Sequence, residues 1–180
     1  KMLGVVAEGR RRRFYVSPSE DQLRVASSAS PSWKPEVPFF QQALGFRIGN
    51  YGLTNWSDLF TPRQLLGLST LSELIVEVMS QVETDALAAG WDSGIGLASG
   101  GNGAVAYAEA IATYLAFAID RCADFSNTCT QWSNGNQKVM HLFGKQTISM
   151  GWDFPEPNLL LETVGGFLTA AKYVADCVET

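Results

Sequence analysis

The stretch TPRQLLGLSTLSELIVEVMSQVETDALAAG, residues 61–90, decides the fold because it specifies one long helix from its start to its end. Thr61 is suited to cap the helix, proline follows at the first helical position, and Gln64 stands where a capping box places its glutamine. Gly90 supplies the stop. Apolar side chains recur at spacings of three and four and predict one buried face: Leu65, Leu68, Leu71, Leu74, Ile75, Val78, Met79 and Val82.

Three further helices are predicted after this one. Residues 103–124 carry alanines and large apolar side chains on nearly all faces, which is typical of a centrally buried helix. A third helix is predicted over residues 137–148, and a fourth from Thr163 to the end of the chain. Two prolines make residues 152–158 a loop between them.

Before the long helix, the sequence predicts a β-hairpin and a connector. Two β-prone runs, residues 3–7 and 14–16, flank Gly9 and a block of four arginines, which would lie at the hairpin tip or at the entry to its second strand. Residues 17–38 are rich in serine and proline and should be an exposed connector. Smaller elements are expected at 19–25 (a helical turn), 39–44 (a turn) and 46–51 (a short strand).

The predicted fold class is therefore α+β and mainly α, with an N-terminal β-hairpin followed by a bundle of about four helices. Residues 1–48 would form the hairpin and connector and residues 49–180 the helical domain, or the two would be one continuous domain. With 180 residues, 46% of them apolar and 17% charged, the chain is not disordered, and it needs no disulfides to bury a core.

Charge is unevenly spread along the chain. Residues 1–60 hold eight Lys/Arg and five Asp/Glu, whereas residues 61–180 hold five and thirteen, so the net charge of -5 comes from the later part. Between Arg63 and Arg121 there are seven acids and no Lys or Arg. Acidic surface repels a phosphate backbone, so this is not a general DNA-coating protein, and any nucleic-acid contact should come from the first third.

Cysteine usage and targeting signals favour a cytoplasmic location. Cys122, Cys129 and Cys177 show no CxxC spacing and predict reduced thiols, while a catalytic pair with His141, the only histidine, is the less favoured alternative. No signal peptide is recognisable, and the apolar run at residues 110–119 is too short for a membrane span. A start at lysine and an end within an apolar pattern suggest a piece cut from a longer protein.

Several residues in loop-like segments allow two interpretations. The glycine-rich residues 99–103 precede a helix and could cradle an anion or serve as a plain hinge. Trp56, Trp132 and Trp152 could stack on bases or anchor the core. The acids Asp58, Asp153 and Glu156 are general-base candidates, with helix capping by the two aspartates as the simpler interpretation. None of the HExxH, GxSxG, paired CxxC or DPPY motifs occurs, so the sequence predicts no catalytic residue, no cofactor-binding residue and no metal ligand.

The string NYGLTNWSDLFTPRQLLGLSTL, residues 50–71, resembles a signature of prokaryotic adenine-specific DNA methylases that carry a zinc ribbon and are associated with anti-phage loci. The similarity continues through AYAEAIATYLAFAIDRCAD, KVMHLFGKQTISMGWDF and GGFLTAAKYVADCVE, and the opening VVAEGRRRRFYVSP matches the family's hairpin-like segment. Two loops depart from the family pattern: SNTCTQW stands where NSSLCRW is common, and EPNL where VNPF is common.

The resemblance implies that this chain is a middle segment between the two halves of a methyltransferase core. In that family, the DPFAGGG-type motif that binds S-adenosylmethionine and the zinc ribbon lie upstream, and the catalytic DPPY-type motif lies downstream. The parent enzyme would move a methyl group from S-adenosylmethionine to the amino group of a flipped-out adenine. Its partners would be the rest of the methyltransferase chain, DNA reached through the parent, and proteins of the defence system, but no membrane.

Within such a parent, the segment is expected to be a helical scaffold or DNA-specificity domain. Its DNA-facing side would comprise the hairpin and the loop over residues 51–63. The alternative for Arg10, Arg11, Arg12 and Arg13 is a solvated surface, and the alternative for Arg63 and Gln64 is a role in the helix start and the core. The alternative function is a protein-interaction module, suggested by the acidic helical face, and an independent small enzyme is the third possibility. The candidate DNA-binding side chains are Arg10, Arg11, Arg12, Arg13, Asn55, Arg63 and Gln64.

Overall fold

The long helix that the capping box predicts is present in the computed structural model, which describes residues 1–40 and 47–179. This helix is Pro62–Ala88, the second α-helix in the chain and here called α2. The Thr61 hydroxyl accepts a hydrogen bond from the Gln64 N–H, and the Gln64 side chain accepts one from the Thr61 N–H, so both halves of the box are formed. Gly90 follows the helix with φ at 89°, a left-handed conformation that favours glycine.

A second long helix, α3, spans Gly103–Phe125 and folds back along α2 as a helical hairpin. The start of α3 is tied to the end of α2 because Ala104 donates its N–H to the carbonyl of Asp92 over 2.8 Å. The prediction of central burial is wrong for part of α3. Small residues such as Ala104 and Ala108 are buried, while the large side chains Tyr107 and Phe117 are exposed.

The last helix, α4, spans Phe167–Val178 and packs against α3. It begins four residues after the predicted start. Together with α2 and a preceding loop, these helices enclose a small group of apolar residues that we call the helix cluster. Its buried members are Ala118, Cys122 and Ala170, with Leu68, Leu159, Phe167, Ala171 and Val174 packed against them.

The predicted helix over residues 137–148 is wrong. The segment instead contains β4, Lys138–Val139, which pairs with β3, Trp132–Ser133, and continues as turns. Its backbone donors bond to other elements rather than to carbonyls four residues back: Phe143 donates to the Asp124 carboxylate over 2.7 Å, and Leu142 to the Asp124 carbonyl over 3.0 Å. Tertiary partners therefore replace the helical ladder here.

The N-terminal hairpin is confirmed, with β1 at Val5–Glu8 and β2 at Arg13–Val16. The helical turn expected at 19–25 is the α-helix α1, Glu20–Ser27, capped by Ser19. The fold class, mainly helical with an N-terminal strand pair, is confirmed. The strand expected over 46–51 is wrong for Ile48–Tyr51, a 3₁₀ helix, while residue 46 and most of the turn expected at 39–44 lie outside the described residues.

The second group of buried residues lies among loops and short 3₁₀ turns, and we call it the loop cluster. Backbone hydrogen bonds between distant segments hold it: Thr128 donates to the Leu59 carbonyl over 2.7 Å, and Trp56 to the Val37 carbonyl over 2.9 Å. A second 3₁₀ helix, Trp56–Leu59, contributes one wall. The buried members of the loop cluster are Phe39, Ile48, Leu59, Cys129 and Ile148, with Leu53, Trp56, Phe60, Leu142 and Met150 packed against them.

By length and composition alone, α2 and α3 are each long and apolar enough to cross a membrane. The apolar run at residues 110–119, which Thr113 interrupts, did not indicate this. Two such helices are weak evidence, because core helices of water-soluble proteins meet the same criterion.

Candidate nucleic-acid interface

Four consecutive arginines form the turn of the N-terminal hairpin. Gly9 donates its N–H to the carbonyl of Arg12 over 2.9 Å and closes the turn, and a Cβ at Gly9 would collide with the Phe14 ring. The Arg12 guanidinium lies over that same ring, 4.9 Å from its centroid. Arg13 stands opposite Glu8 in the strand register. We call residues 10–13 the arginine turn; Arg10, Arg11 and Arg12 are exposed and Arg13 is half-buried.

The arginine turn is rich in unneutralised charge. Across residues 1–40 and 47–179, none of its four guanidinium groups lies within 4.0 Å of a carboxylate. Tyr15, two residues further along, packs edge-on against Trp132 with ring centroids 6.4 Å apart. The hairpin is thereby attached next to the loop cluster, and its arginines face water, where a polyanion can reach them.

Arg63 is engaged inside the protein. Its Nε and Nη2 donate to the two carboxylate oxygens of Glu156 over 2.9 and 2.7 Å, and its Nη1 reaches the carbonyl of Ala26 over 3.4 Å. The Thr61 hydroxyl donates to the same carboxylate over 3.0 Å. Such a two-pronged pair fixes geometry as well as charge. Arg63 therefore joins the start of α2 to the loop before α4, in line with the structural alternative.

Gln64 and Asn55 are also engaged in local structure. Gln64 is buried, its oxygen serves the capping box, and its amide nitrogen has no hydrogen-bond partner among the described residues. Asn55 is half-buried and donates through its side chain to the Thr54 hydroxyl over 3.4 Å. The structure thus brings Asn55, Arg63 and Gln64 near the start of α2 but gives each an internal role, so DNA contact by them remains a prediction.

Asp58 is a capping residue, as the simpler interpretation expected. Its carboxylate accepts hydrogen bonds from the backbone N–H groups of Thr54 and Asn55 over 2.7 and 2.8 Å. Burial raises the pKa of Asp58, but these bonds and the positive charge of Lys34 outweigh burial and leave the pKa below its usual value. A general base requires a raised pKa, so this environment does not favour that role.

The three tryptophans in loop-like segments have different surroundings. Trp56 packs in the loop cluster, 4.6 Å from the Phe39 ring. Trp132 is half-buried beside Tyr15. Trp152, in contrast, is 81% exposed and meets the exposed Tyr51 edge-to-face at 5.6 Å. Core anchoring therefore holds for Trp56 and fails for Trp152.

The surroundings of the glycine-rich residues 99–103 do not favour an anion cradle. The first N–H groups of α3 are already used, because Ala104 and Val105 donate to the carbonyls of Asp92 and Ser93. The Leu97 N–H donates to the Glu109 carboxylate over 2.6 Å, which places a negative charge beside the loop. An anion would meet that carboxylate rather than unpaired donors.

The buried cysteines are poorly suited to nucleophilic chemistry. Burial raises the pKa of the Cys122 thiol to about 11 and also raises the pKa of Cys129, so both stay protonated at neutral pH. His141 lies 3.5 Å from the Asp124 carboxylate through its Nδ1. Among the described residues, no three His, Cys, Asp or Glu side chains are grouped so as to hold a metal ion.

A second surface is formed by the part of the helical hairpin over residues 73–117, which we call the helical arm. Large apolar side chains on it face water, among them Leu74, Val76 and Phe117. The acids Glu73 and Glu77 are exposed between them, and no Lys or Arg lies between residues 63 and 121 to neutralise these charges locally. The arm is thus both apolar and acidic, the opposite of the arginine turn.

A small cavity of about 60 Å³ lies at the start of α4, lined by Arg121, Phe125, Val164, Gly165, Thr169 and Ala170. It has room for about two water molecules, which excludes a nucleotide or a cofactor. Arg121 lies with its guanidinium 3.9 Å from the Tyr173 ring centroid, where it serves to pack α4 on α3.

The pairing of Glu156 with Arg63 and that of Tyr51 with Trp152 were not found by sequence reasoning. Glu156 is 93 residues from Arg63, and Trp152 is similarly distant from Tyr51, so no local spacing signals either contact. Comparison of the chain with protein-family models, with curated proteins and with solved structures finds no match. The function must therefore be inferred from the site itself and from the resemblance of the sequence strings.

Proposed function

We propose that this chain is a helical scaffold or DNA-specificity segment of an S-adenosylmethionine-dependent adenine-specific DNA methyltransferase, and that it contacts DNA phosphates through the arginine turn. The observation that supports this proposal is a run of four arginines, of which Arg10, Arg11 and Arg12 lie on an exposed turn and Arg13 is half-buried at the start of β2, with no carboxylate within 4.0 Å of their guanidinium groups among the described residues. Arginine binds phosphate oxygens in a two-pronged geometry, and each such contact releases counterions from DNA.

In this proposal the segment positions DNA and does no chemistry itself. Phosphate contacts fix the register of a protein on the duplex without reading its sequence. S-adenosylmethionine, the zinc ribbon and the groups that flip and methylate adenine would belong to other parts of the parent enzyme, which would work in the cytoplasm on chromosomal and invading DNA. The helices α2, α3 and α4 would serve as the rigid mount that joins the hairpin to that enzyme.

The proposal is tested by replacing Arg10, Arg11, Arg12 and Arg13 with alanine and measuring binding of a fluorescein-labelled duplex between about 50 and 200 mM salt. Each lost phosphate contact lowers the steepness of the log affinity against log salt plot by about 0.9, so the slope should fall by about 3 to 4. The same variant in the parent enzyme should weaken DNA binding without changing affinity for S-adenosylmethionine.

A matched control removes the same charge elsewhere. The variant Arg24→Ala, Lys34→Ala, Lys145→Ala, Lys172→Ala alters four exposed cations, two of which are paired with Asp21 and Glu36. If the arginine turn is the contact, this control keeps a salt slope close to that of the wild type. Equal slopes for the two variants would show that only net charge matters, and the proposal would be wrong.

A second candidate function is a protein-interaction module that docks partners encoded in the same defence locus. The helical arm favours this role, because apolar residues flanked by exposed acids suit a basic protein surface better than DNA. The double variant Leu74→Ser, Val76→Ser should then abolish co-purification of such a partner and leave DNA binding unchanged. If this variant still co-purifies with the partner, the helical arm is not the docking surface.

A further inference from the structure

We propose that Tyr51 and Trp152 form a stacking platform for one unpaired base of the DNA. This inference rests on the proposed DNA-binding function and names a second contact for it. The loop over residues 51–63 was expected to face DNA, yet its polar members Asn55, Arg63 and Gln64 are engaged internally. This loop and the distant segment that contains Trp152 instead expose two aromatic side chains in contact with each other. Trp152 is 81% exposed and Tyr51 is 55% exposed.

Both members of the pair are close in sequence to residues of the loop cluster, Tyr51 to Ile48 and Leu53 and Trp152 to Ile148 and Met150. Tyr51 ends the 3₁₀ helix that contains the buried Ile48, and Leu53 closes that turn by donating to the Ile48 carbonyl over 3.4 Å. Trp152 follows Gly151, where an added Cβ would lie 3.8 Å from the Cα of the buried Cys129. The two rings meet edge-to-face, at 87°, so each limits the rotation of the other.

The chemistry of this surface favours a base as its ligand. An indole with most of its surface in water offers a π face, and stacking on such a face accepts any base. Arg47 lies four residues before Tyr51, Asp153 directly follows Trp152, and both are exposed, so the sequence around the pair carries one charge of each sign. Inside a duplex the faces of a base are covered by its neighbours, so the ligand must be an unstacked or single-stranded base.

Tyr15 of the hairpin packs on Trp132, which lies three residues after Cys129 of the loop cluster. The arginine turn and the aromatic pair would supply two separate contacts to a strand long enough to reach both. Phosphate contacts and stacking would then add different terms, one dependent on salt and one not.

The test measures anisotropy of a fluorescein-labelled oligothymidine of about 15 nucleotides and of a duplex of the same length. Trp152→Ala should weaken binding of the single strand about tenfold, weaken duplex binding little, and leave the salt slope unchanged. Trp152→Phe, which keeps an aromatic face, should retain most of the affinity. The control is Trp33→Ala, since Trp33 is a tryptophan that is 61% exposed elsewhere on the surface.

A second measurement identifies the contact directly. An oligonucleotide that carries 5-iododeoxyuridine should form a photochemical cross-link to Trp152 or Tyr51, which peptide mapping locates. Cross-links confined to other residues, or equal single-strand affinity of Trp152→Ala and Trp33→Ala, would overturn the stacking platform. If the arginine-turn variant then still loses DNA binding, the proposed function stands and only the platform fails. If the wild-type chain binds neither the single strand nor the duplex, both proposals fail.

Discussion

The loop cluster and the helical arm distribute their apolar side chains in opposite ways. In the loop cluster, Ile48 and Leu59 come from short 3₁₀ turns and are fully enclosed. In the arm, Leu74 and Val76 belong to a regular helix of 27 residues and remain in contact with water. The irregular loop cluster thus encloses its large apolar side chains, whereas the regular helical arm leaves several of its own exposed.

This contrast shows that regular secondary structure does not require extensive burial of side chains. A helix satisfies its backbone hydrogen bonds internally and needs only one stripe of contacts, so α2 can stand beside α3 with its other faces open. Loops must obtain partners from other segments, as the Thr128 N–H does from the Leu59 carbonyl. Most of the free energy that stabilises the fold is therefore expected near the loop cluster, and the arm remains available for a partner.

The largest effect is expected for Leu59→Ala. Its side chain is completely buried, so truncation loses transfer free energy and leaves a cavity, at a cost of about 3 kcal/mol in the free energy of unfolding. Leu74→Ala is the matched control, since that leucine is 44% exposed and should cost below about 0.5 kcal/mol. Urea unfolding followed by far-ultraviolet circular dichroism measures both, and equal losses would refute the contrast.

A smaller effect is expected for Asn127→Ala at the end of α3. The fully buried Asn127 amide donates to the carbonyls of Ala123 and Asp124 over 3.0 and 3.1 Å and accepts from the Cys129 N–H over 3.1 Å. Its removal leaves buried polar groups unpaired and should cost about 2 kcal/mol. In contrast, Asn136→Ala, at an exposed position, should change the urea midpoint little.

The Thr61 cap at the start of α2 should contribute less to the free energy of unfolding than Leu59 or Asn127. Thr61→Ala removes the capping bond to the Gln64 N–H and the bond to Glu156, at a cost of about 1 kcal/mol. Thr61→Ser keeps the hydroxyl and should recover most of that loss in the same thermal or urea experiment. A serine variant as unstable as the alanine variant would mean that the methyl group, not the cap, carries the effect.

The smallest expected effect is the contribution of Asp58 to the pH dependence of folding stability. Because the pKa of Asp58 is lowered in the folded chain, its ionised form stabilises the fold above the unfolded value of 3.8, and this contribution is lost as pH falls through the lower folded value. The carboxylate is largely solvated, so the contribution is below about 1 kcal/mol. Asp58→Asn should thus be less stable than the wild type near neutral pH, and the difference should shrink in acid. A constant difference would contradict this account.

Local patterns predicted the elements that carry their own signals. The capping box at Thr61 and Gln64 located the start of α2, and the turn at Gly9 located the hairpin. Each of these features depends on residues within about four positions of one another, which is the range over which helix and turn chemistry acts.

Those local patterns did not predict the contacts between distant segments. The sequence predicts a helix around Val139. In the structure, the backbone N–H groups of Leu142 and Phe143 donate to Asp124 instead of to carbonyls one helical turn earlier. Similarly, nothing near Arg63 indicates that Glu156 neutralises it. The candidate site changed for this reason: the arginine turn kept its predicted exposure, whereas the polar residues near α2 acquired internal partners.

The sequence by itself determined where the helices α2 and α3 and the hairpin occur, because capping, periodicity and turn chemistry are local. Only the tertiary structure decided which apolar side chains are enclosed and which charged groups remain available. The same leucine-rich helix can be a core element or an open arm, and the difference depends on what packs against it. Burial is a property of packing between distant segments, and no local pattern encodes it.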